Sequence, residues 1–200
     1  MGRVGIAERL WDAARTEFSQ RGYHGARVQG IARRAGCNVA LLYRHWTSKR
    51  ALYLDVLGSA WCSILSDLGQ LLDRQQGAEG VVAAYLDANL RDPVGAQILI
   101  REVLDGGPCL TQLIEREPSL IDPVRRAARV FDGPAAANSP TTLHPRPEAT
   151  MAVLSIGGLA SLVAAAQEAT RAFLPQPVSI DEWRQHAYSL LLHGVASRTS

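Results

Sequence analysis

VQGIARRAGCNVALLYRHWTSKR, residues 28–50, decides the fold. Ile31, Ala32 and Ala35 recur at helical spacing, and Gly36 closes that helix. Asn38 opens the next one, with a side chain suited to accept from the free amides of a first turn. This helix ends near Trp46, and Thr47 or Ser48 caps a third. Leu42 and Trp46 lie four apart, so they share a face and can pack on Ile31 and Ala35. Val39, Ala40, Leu41, Tyr43, Arg44 and His45 then turn outwards. A short helix, braced by a partner helix and open on its far side, fits the major groove of a duplex.

Charge points the same way. Residues 1–50 hold ten Arg/Lys against three acids, a net of +7, whereas the other 150 residues hold 11 against 16, a net of −5. A basic head on an acidic body implies a polyanion partner for the head alone. Three cysteines, at 37, 62 and 109, show no metal or disulfide spacing, which fits a reducing, cytoplasmic setting. Cys37, in the turn, reads as a small core thiol. The longest apolar run, Met151 to Ala166, is shorter than the ~20 residues that a bilayer span needs, and reads as a buried helix.

Strand patterns are almost absent, and the expected class is all-α with about nine helices. Ile6, Leu10, Ala13, Ala14 and Phe18 mark a first helix stopped by Gly22. The long helix after Ser48 runs to about Gln75, with a break at Gln76-Gly77. Asp92-Pro93 starts a helix that Gly106-Gly107-Pro108 ends, and shorter pieces follow around Pro118 and Pro123. Residues 133–147 form a Pro/Ala/Ser/Thr loop. Two longer helices remain, at about 148–172 and 179–197, split by Pro175 and Pro177; Ser179 with Glu182 is a capping box for the last. The expected organisation is a helix-turn-helix head at 1–50 and a helical body at 51–200.

Within the head, Arg44 and His45 can donate to base edges or phosphates, whereas Val39, Ala40 and Leu41 can touch only apolar features such as a thymine methyl. Tyr43 carries a hydroxyl that can reach a phosphate, and reads equally as a half-buried aromatic. Arg27 adds charge at the start of the second helix, and Gln29 can read an adenine edge. Lys49, the single Lys of the chain, opposes the dipole of the helix it begins, which an external phosphate would explain.

These motifs resemble the DNA-binding domain of the TetR family of transcriptional regulators over residues 5–57. Phe18-Ser19-Gln20-Arg21-Gly22-Tyr23, Val28 to Gly36, Leu42-Tyr43-Arg44-His45-Trp46 and Ser48-Lys49-Arg50-Ala51-Leu52 carry the likeness. The resemblance implies an all-helical homodimer whose first three helices bind double-stranded operator DNA. It implies that Tyr43 and Lys49 hold phosphates, and that positions 29, 39, 40, 41, 44 and 45 reach bases or nearby backbone. Three positions depart from the pattern. Ala26 and Arg27 replace the usual hydroxyl residues, Asn38 replaces a capping Ser, and Val39-Ala40-Leu41 makes an unusually apolar reading surface.

The resemblance also implies a small-molecule pocket in the body and dimerisation through the last two helices. Trp61, Tyr85, Asn89, Gln97 and Arg101 are polar or aromatic groups on apolar helices, as a pocket lining would be. Each has an alternative as a satisfied core or surface group; Arg101-Glu102 reads more simply as a surface ion pair. Gly157, Gly158 and Ser161 permit close helix approach, and Leu154, Leu162, Tyr188, Leu191 and Leu192 supply apolar area for a two-fold interface. The same stripes would serve equally in the monomer's own core.

Two functions compete. One is a ligand-responsive repressor released from its operator by a small apolar or aromatic effector. The other is a DNA-binding or architectural regulator without an effector. Neither a catalytic set nor a third ligand to join His186 and His193 is present, so no enzyme, cofactor or metal is expected, and no membrane partner. A thiol sensor at Cys62 or Cys109 lacks a basic sequence neighbour to lower its pKa.

Overall fold

The computed structural model describes residues 5–73, 77–132, 145–170, 173, 176 and 178–196, with backbone alone at 67, 71, 167–170 and 191–196. Ten α-helices and one 3-10 turn fill them, without a strand among the described residues. They are α1 (Ile6–Gly25), α2 (Val28–Arg34), α3 (Val39–His45), α4 (Lys49–Leu72), α5 (Gly77–Arg91), α6 (Pro93–Leu104), α7 (Pro108–Arg116), the 3-10 turn Pro118–Ile121, α8 (Asp122–Phe131), α9 (Pro147–Thr170) and α10 (Ile180–Ala196). Most of the loop expected at 133–147, together with Pro175 and Pro177, falls outside the described residues.

The boundaries follow from local chemistry. Gly22 has φ 66°, which breaks α1 internally; one further turn follows, closed by Ala26 N–H on the Gly22 carbonyl at 3.2 Å. Asp92 caps α6 by accepting from Gly95 N–H at 2.9 Å, and Pro93 fills the first turn. Ser179 and Glu182 make the reciprocal capping box at the start of α10, at 2.8 and 3.2 Å.

Two apolar clusters hold the helices. The first joins Leu10, Phe18, Ile31 and Leu42 of the head to Leu52, Tyr53 and Leu57 of α4, and on to Ile98, Leu99 and Cys109 of α6 and α7. The second gathers Leu65 and Leu68 of α4 with Val82, Leu86, Val124, Val153 and Ile156 from α5, α8 and α9. α4 serves both and runs unbroken through residues 50 and 51. Polar ties reinforce the joint between α1 and α6. Arg15 Nη2 lies 2.6 Å from both carboxylate oxygens of Asp92, and Arg101 Nε donates to the Ser19 carbonyl at 2.6 Å.

Two expectations are corrected. The run Met151 to Ala166 is not a buried helix. Val153, Ile156 and Ala160 face the core, but Met151, Leu154, Leu159 and Leu162 are 66, 54, 46 and 52 % exposed. A sequence that is apolar all round has no period to mark which stripe the monomer covers. The helix also starts earlier than the run, so its 147–166 segment, 20 residues with mean hydropathy 1.9, is long and apolar enough to cross a bilayer by length and composition; so is 49–70, at 1.2. The second correction is that Arg101 and Glu102 form no surface pair. Successive helical residues diverge, and here Arg101 turns to α1 while Glu102 is 1 % exposed.

Candidate nucleic-acid interface

α3 is held at its middle and at both ends. Leu42 is fully buried in the first cluster with Ile31 and Ala35, and Trp46 packs half-buried on the same cluster. The Trp46 indole N–H donates to Asp55 Oδ2 at 3.0 Å, fixing the C-terminal end of α3 to α4. Asn38 Oδ1 accepts from Leu41 N–H at 3.0 Å and fixes the other end. Cys37 is half-buried against the cluster, as a turn thiol should be.

The opposite side is open. Ala40, Tyr43, Arg44 and His45 are exposed, and Val39 and Leu41 are half-buried at its edge. His45 stacks on Trp46 with ring centroids 5.6 Å apart. No acid in the described residues claims Arg44. Arg27 is the N-cap residue of α2 and makes no capping bond, consistent with the missing hydroxyl; it and Gln29 are exposed. Ser48 Oγ caps α4 by accepting from Ala51 N–H at 3.0 Å. Lys49 sits half-buried in that first turn with Nζ 4.6 Å above the Tyr23 ring. Burial pushes its ammonium below the usual lysine range. The ring face stabilises a charge that the helix dipole opposes, a contact that helical spacing alone does not reveal. The ten candidate DNA-binding residues therefore lie along α2, α3 and the start of α4.

Residues 10–56 match the family of bacterial regulatory proteins named for tetR. The chain is 36 % identical over 91 residues to the HTH-type transcriptional activator FasR of Mycolicibacterium smegmatis, a match covering 44 % of this chain and 42 % of that protein. It spans about half the length of the curated relatives it matches. Over the whole fold it resembles a TetR-like transcriptional regulator from Rhodococcus sp. RHA1, with TM-score 0.66, 16 % identity and 98 % of each chain covered. It also resembles a transcriptional regulator FadR from Bacillus subtilis solved in complex with stearoyl-CoA, with TM-score 0.61 and 15 % identity, covering 93 % of this chain and 97 % of that one. The described body thus has the all-α architecture of TetR-like structures.

The five candidate ligand residues do not converge on one open space. Trp61 Nε1 donates to the Leu120 carbonyl at 3.0 Å. Asn89 is buried, donating to the Tyr85 carbonyl and accepting from Ser161 Oγ, both at 2.8 Å. Gln97 reaches the Ala165 carbonyl at 3.5 Å, and Arg101 is committed to α1. Tyr85 is the exception. Its ring is 5 % exposed, and its hydroxyl has no hydrogen-bond partner among the described residues; burial pushes its pKa far up. A cleft of about 720 Å³ lies elsewhere, between α5 and α10, over Ala83, Leu86, Arg184 and Tyr188.

The dimerisation candidates divide by face. Leu154, Gly158 and Leu162 lie on the exposed side of α9. Ser161 points inward to Asn89, and a Cβ at Gly157 would meet the Tyr85 ring at 3.0 Å. Tyr188 is half-buried against the second cluster. The side chains of Leu191, Leu192 and His193 lie outside the described residues. Cys62 is exposed and Cys109 buried, where burial and the nearby Glu102 push the Cys109 thiol upward, away from thiolate chemistry.

Proposed function

We propose that this chain is a cytoplasmic, homodimeric TetR-type transcriptional regulator that represses from an operator and is released by a small apolar or aromatic effector. The head through about residue 50 holds DNA, and the remainder holds the effector and the second subunit. The observation that carries the DNA assignment is α3, anchored by the fully buried Leu42 and open on the side that bears Tyr43, Arg44 and His45. Two such heads related by a dyad would meet half-sites one helical turn apart, ~34 Å.

Dimerisation draws support from the exposed stripe Met151, Leu154, Leu159 and Leu162, interrupted by Ser155 and Gly158. Small residues within an apolar stripe suit a second helix better than lipid tails, because they allow close backbone approach.

Effector control draws support from the Tyr85 hydroxyl, which has no partner among the described residues. A buried donor without a partner costs ~1–3 kcal/mol, which an incoming carbonyl or carboxyl group would recover. The complex of the Bacillus FadR with stearoyl-CoA makes acyl thioesters and fatty acids the first compounds to screen. The effector-independent alternative draws support from the other four pocket candidates, whose polar groups are already occupied. Repression is the sign proposed, although FasR is named an activator; a promoter–reporter assay with and without the gene reads the sign directly.

The DNA assignment is tested by fluorescence anisotropy over a salt series. Affinity should fall steeply as salt rises, because phosphate contacts release counterions. Lys49→Ala should weaken unrelated duplexes alike, and Arg44→Ala should change the preferred sequence. A flat salt profile removes the assignment. A thermal-shift screen of acyl and aromatic metabolites decides between the two effector readings.

A further inference from the structure

We propose that a second basic surface, in the cleft between α1 and α2, holds DNA phosphates beyond those that Arg27, Tyr43 and Lys49 are expected to hold. The proposal rests on the DNA reading above and extends it to residues outside the recognition helix. The cleft, about 500 Å³, is walled by Arg21, Arg27, Arg33 and Arg34. Its floor is Glu17, only 4 % exposed, whose oxygens lie 3.2 Å from Arg21 Nε and 3.9 Å from Arg34 Nη2. Four guanidinium groups thus surround one carboxylate, a formal excess of three positive charges in one concavity.

The cleft is built rather than incidental. Glu17 lies close over the backbone of α2 at Gly30, where a Cβ would stand 2.9 Å from Glu17 Oε1. The buried carboxylate orients Arg21 and Arg34, and Gln20 Oε1 accepts from Arg34 Nη2 at 3.4 Å. No acid of the described residues pairs with Arg33 or Arg27. The occupant follows from continuity. Arg27 and Gln29 line the cleft and also begin the surface that leads to α3, so the two basic regions form one track. Arg27 and Arg33 are six residues apart, ~9 Å along a helix, too far to share one phosphate and suited to successive ones. Planar guanidinium forks match phosphate oxygens in pairs.

The test uses the full chain and a mixed-sequence duplex of about 30 base pairs over a salt series. Arg33→Gln/Arg34→Gln should lower the slope of log affinity against log salt by about two, equally for unrelated sequences. Arg33→Lys/Arg34→Lys should restore it, and Glu17→Gln, which frees Arg21 and Arg34 of their counter-charge, should steepen it. Arg125→Gln/Arg126→Gln, at a half-buried and an exposed position of α8, serves as the control that leaves it unchanged. An unchanged slope in a Gln pair that melts like the parent overturns the proposal; should the Gln pair fail to fold, an unaltered slope in Glu17→Gln does so. Pyrophosphate binding that the Gln pair abolishes while the DNA slope stays constant also overturns it, and makes the cleft a small-anion site. In the same titration Lys49→Ala separates the two claims. If it lowers the slope and the Gln pair does not, only the cleft assignment fails; if the parent chain shows no salt dependence, the DNA assignment falls with it.

Discussion

The Tyr53 hydroxyl donates to Glu102 Oε2 at 2.9 Å, inside the joint between the head and the body. The other carboxylate oxygen accepts from Cys109 N–H at 2.6 Å and Leu110 N–H at 3.0 Å. One buried side chain on α6 therefore holds α4 and the first turn of α7 together. The Tyr53 ring packs on Phe18 and Tyr23, at 4.8 and 5.0 Å between centroids, which carries the same contact into α1.

Glu102→Ala should cost at least ~3 kcal/mol, because it strands two buried donors and a partly buried one at once. For a chain of this size that is a fall of roughly 6 °C or more in melting midpoint. Differential scanning calorimetry checks it; a loss under ~1 kcal/mol would show that water or another group replaces the carboxylate.

Alkaline stability follows from Tyr53. Burial and the Glu102 charge raise its pKa far above the ordinary value. The unfolded chain therefore releases this proton near pH 10 while the folded chain retains it, so stability holds below pH ~10 and declines as pH rises further. Tyr85 and Cys109, also raised by burial, add to the decline in the same direction. Denaturant melts across pH 9–11 should show the decline, and Tyr53→Phe should lessen it.

Tyr85→Phe should leave stability unchanged or raise it by about 1 kcal/mol, since it removes a buried hydroxyl that has no partner among the described residues. The same variant should lose the thermal shift produced by any metabolite that stabilises the parent. Destabilisation beyond ~1 kcal/mol would mean that the hydroxyl is already satisfied.

Leu159→Arg should yield a folded monomer. Leu159 is exposed on α9 amid Met151, Leu154 and Leu162, so an Arg there meets water in one subunit and an apolar partner in two. Sedimentation equilibrium distinguishes the cases; a variant that stays dimeric places the subunit contact on another face.

What the sequence made legible is whatever depends on near neighbours along the chain. Leu42 four before Trp46, Asn38 ahead of α3, Asp92 ahead of Pro93, and Ser179 three before Glu182 each encode a local geometry, and each occurs as expected. Glu17 and Glu102 were not legible, because a buried carboxylate looks like a surface one until its distant partners are known. For Glu102 those partners lie 49 positions back and 7 or 8 ahead. The ring beneath Lys49 was not legible for the same reason: it comes from Tyr23, on another helix. α9 gave no orientation because a stretch rich in Ala, Gly and Leu on every side has no amphipathic period to read.

The first cluster does not stop where α3 ends: Phe18 and Tyr53 rest on side chains that enter from Ile98, Leu99 and Cys109. A peptide cut after residue 50 would expose Phe18 and lose Tyr53 altogether, along with the Arg101 grip on Ser19. It should behave as a collapsed coil with little fixed helix, and the reading element should unfold in the same cooperative transition as the rest of the molecule. Whatever loosens α6 would then be felt at α3 without any messenger in between.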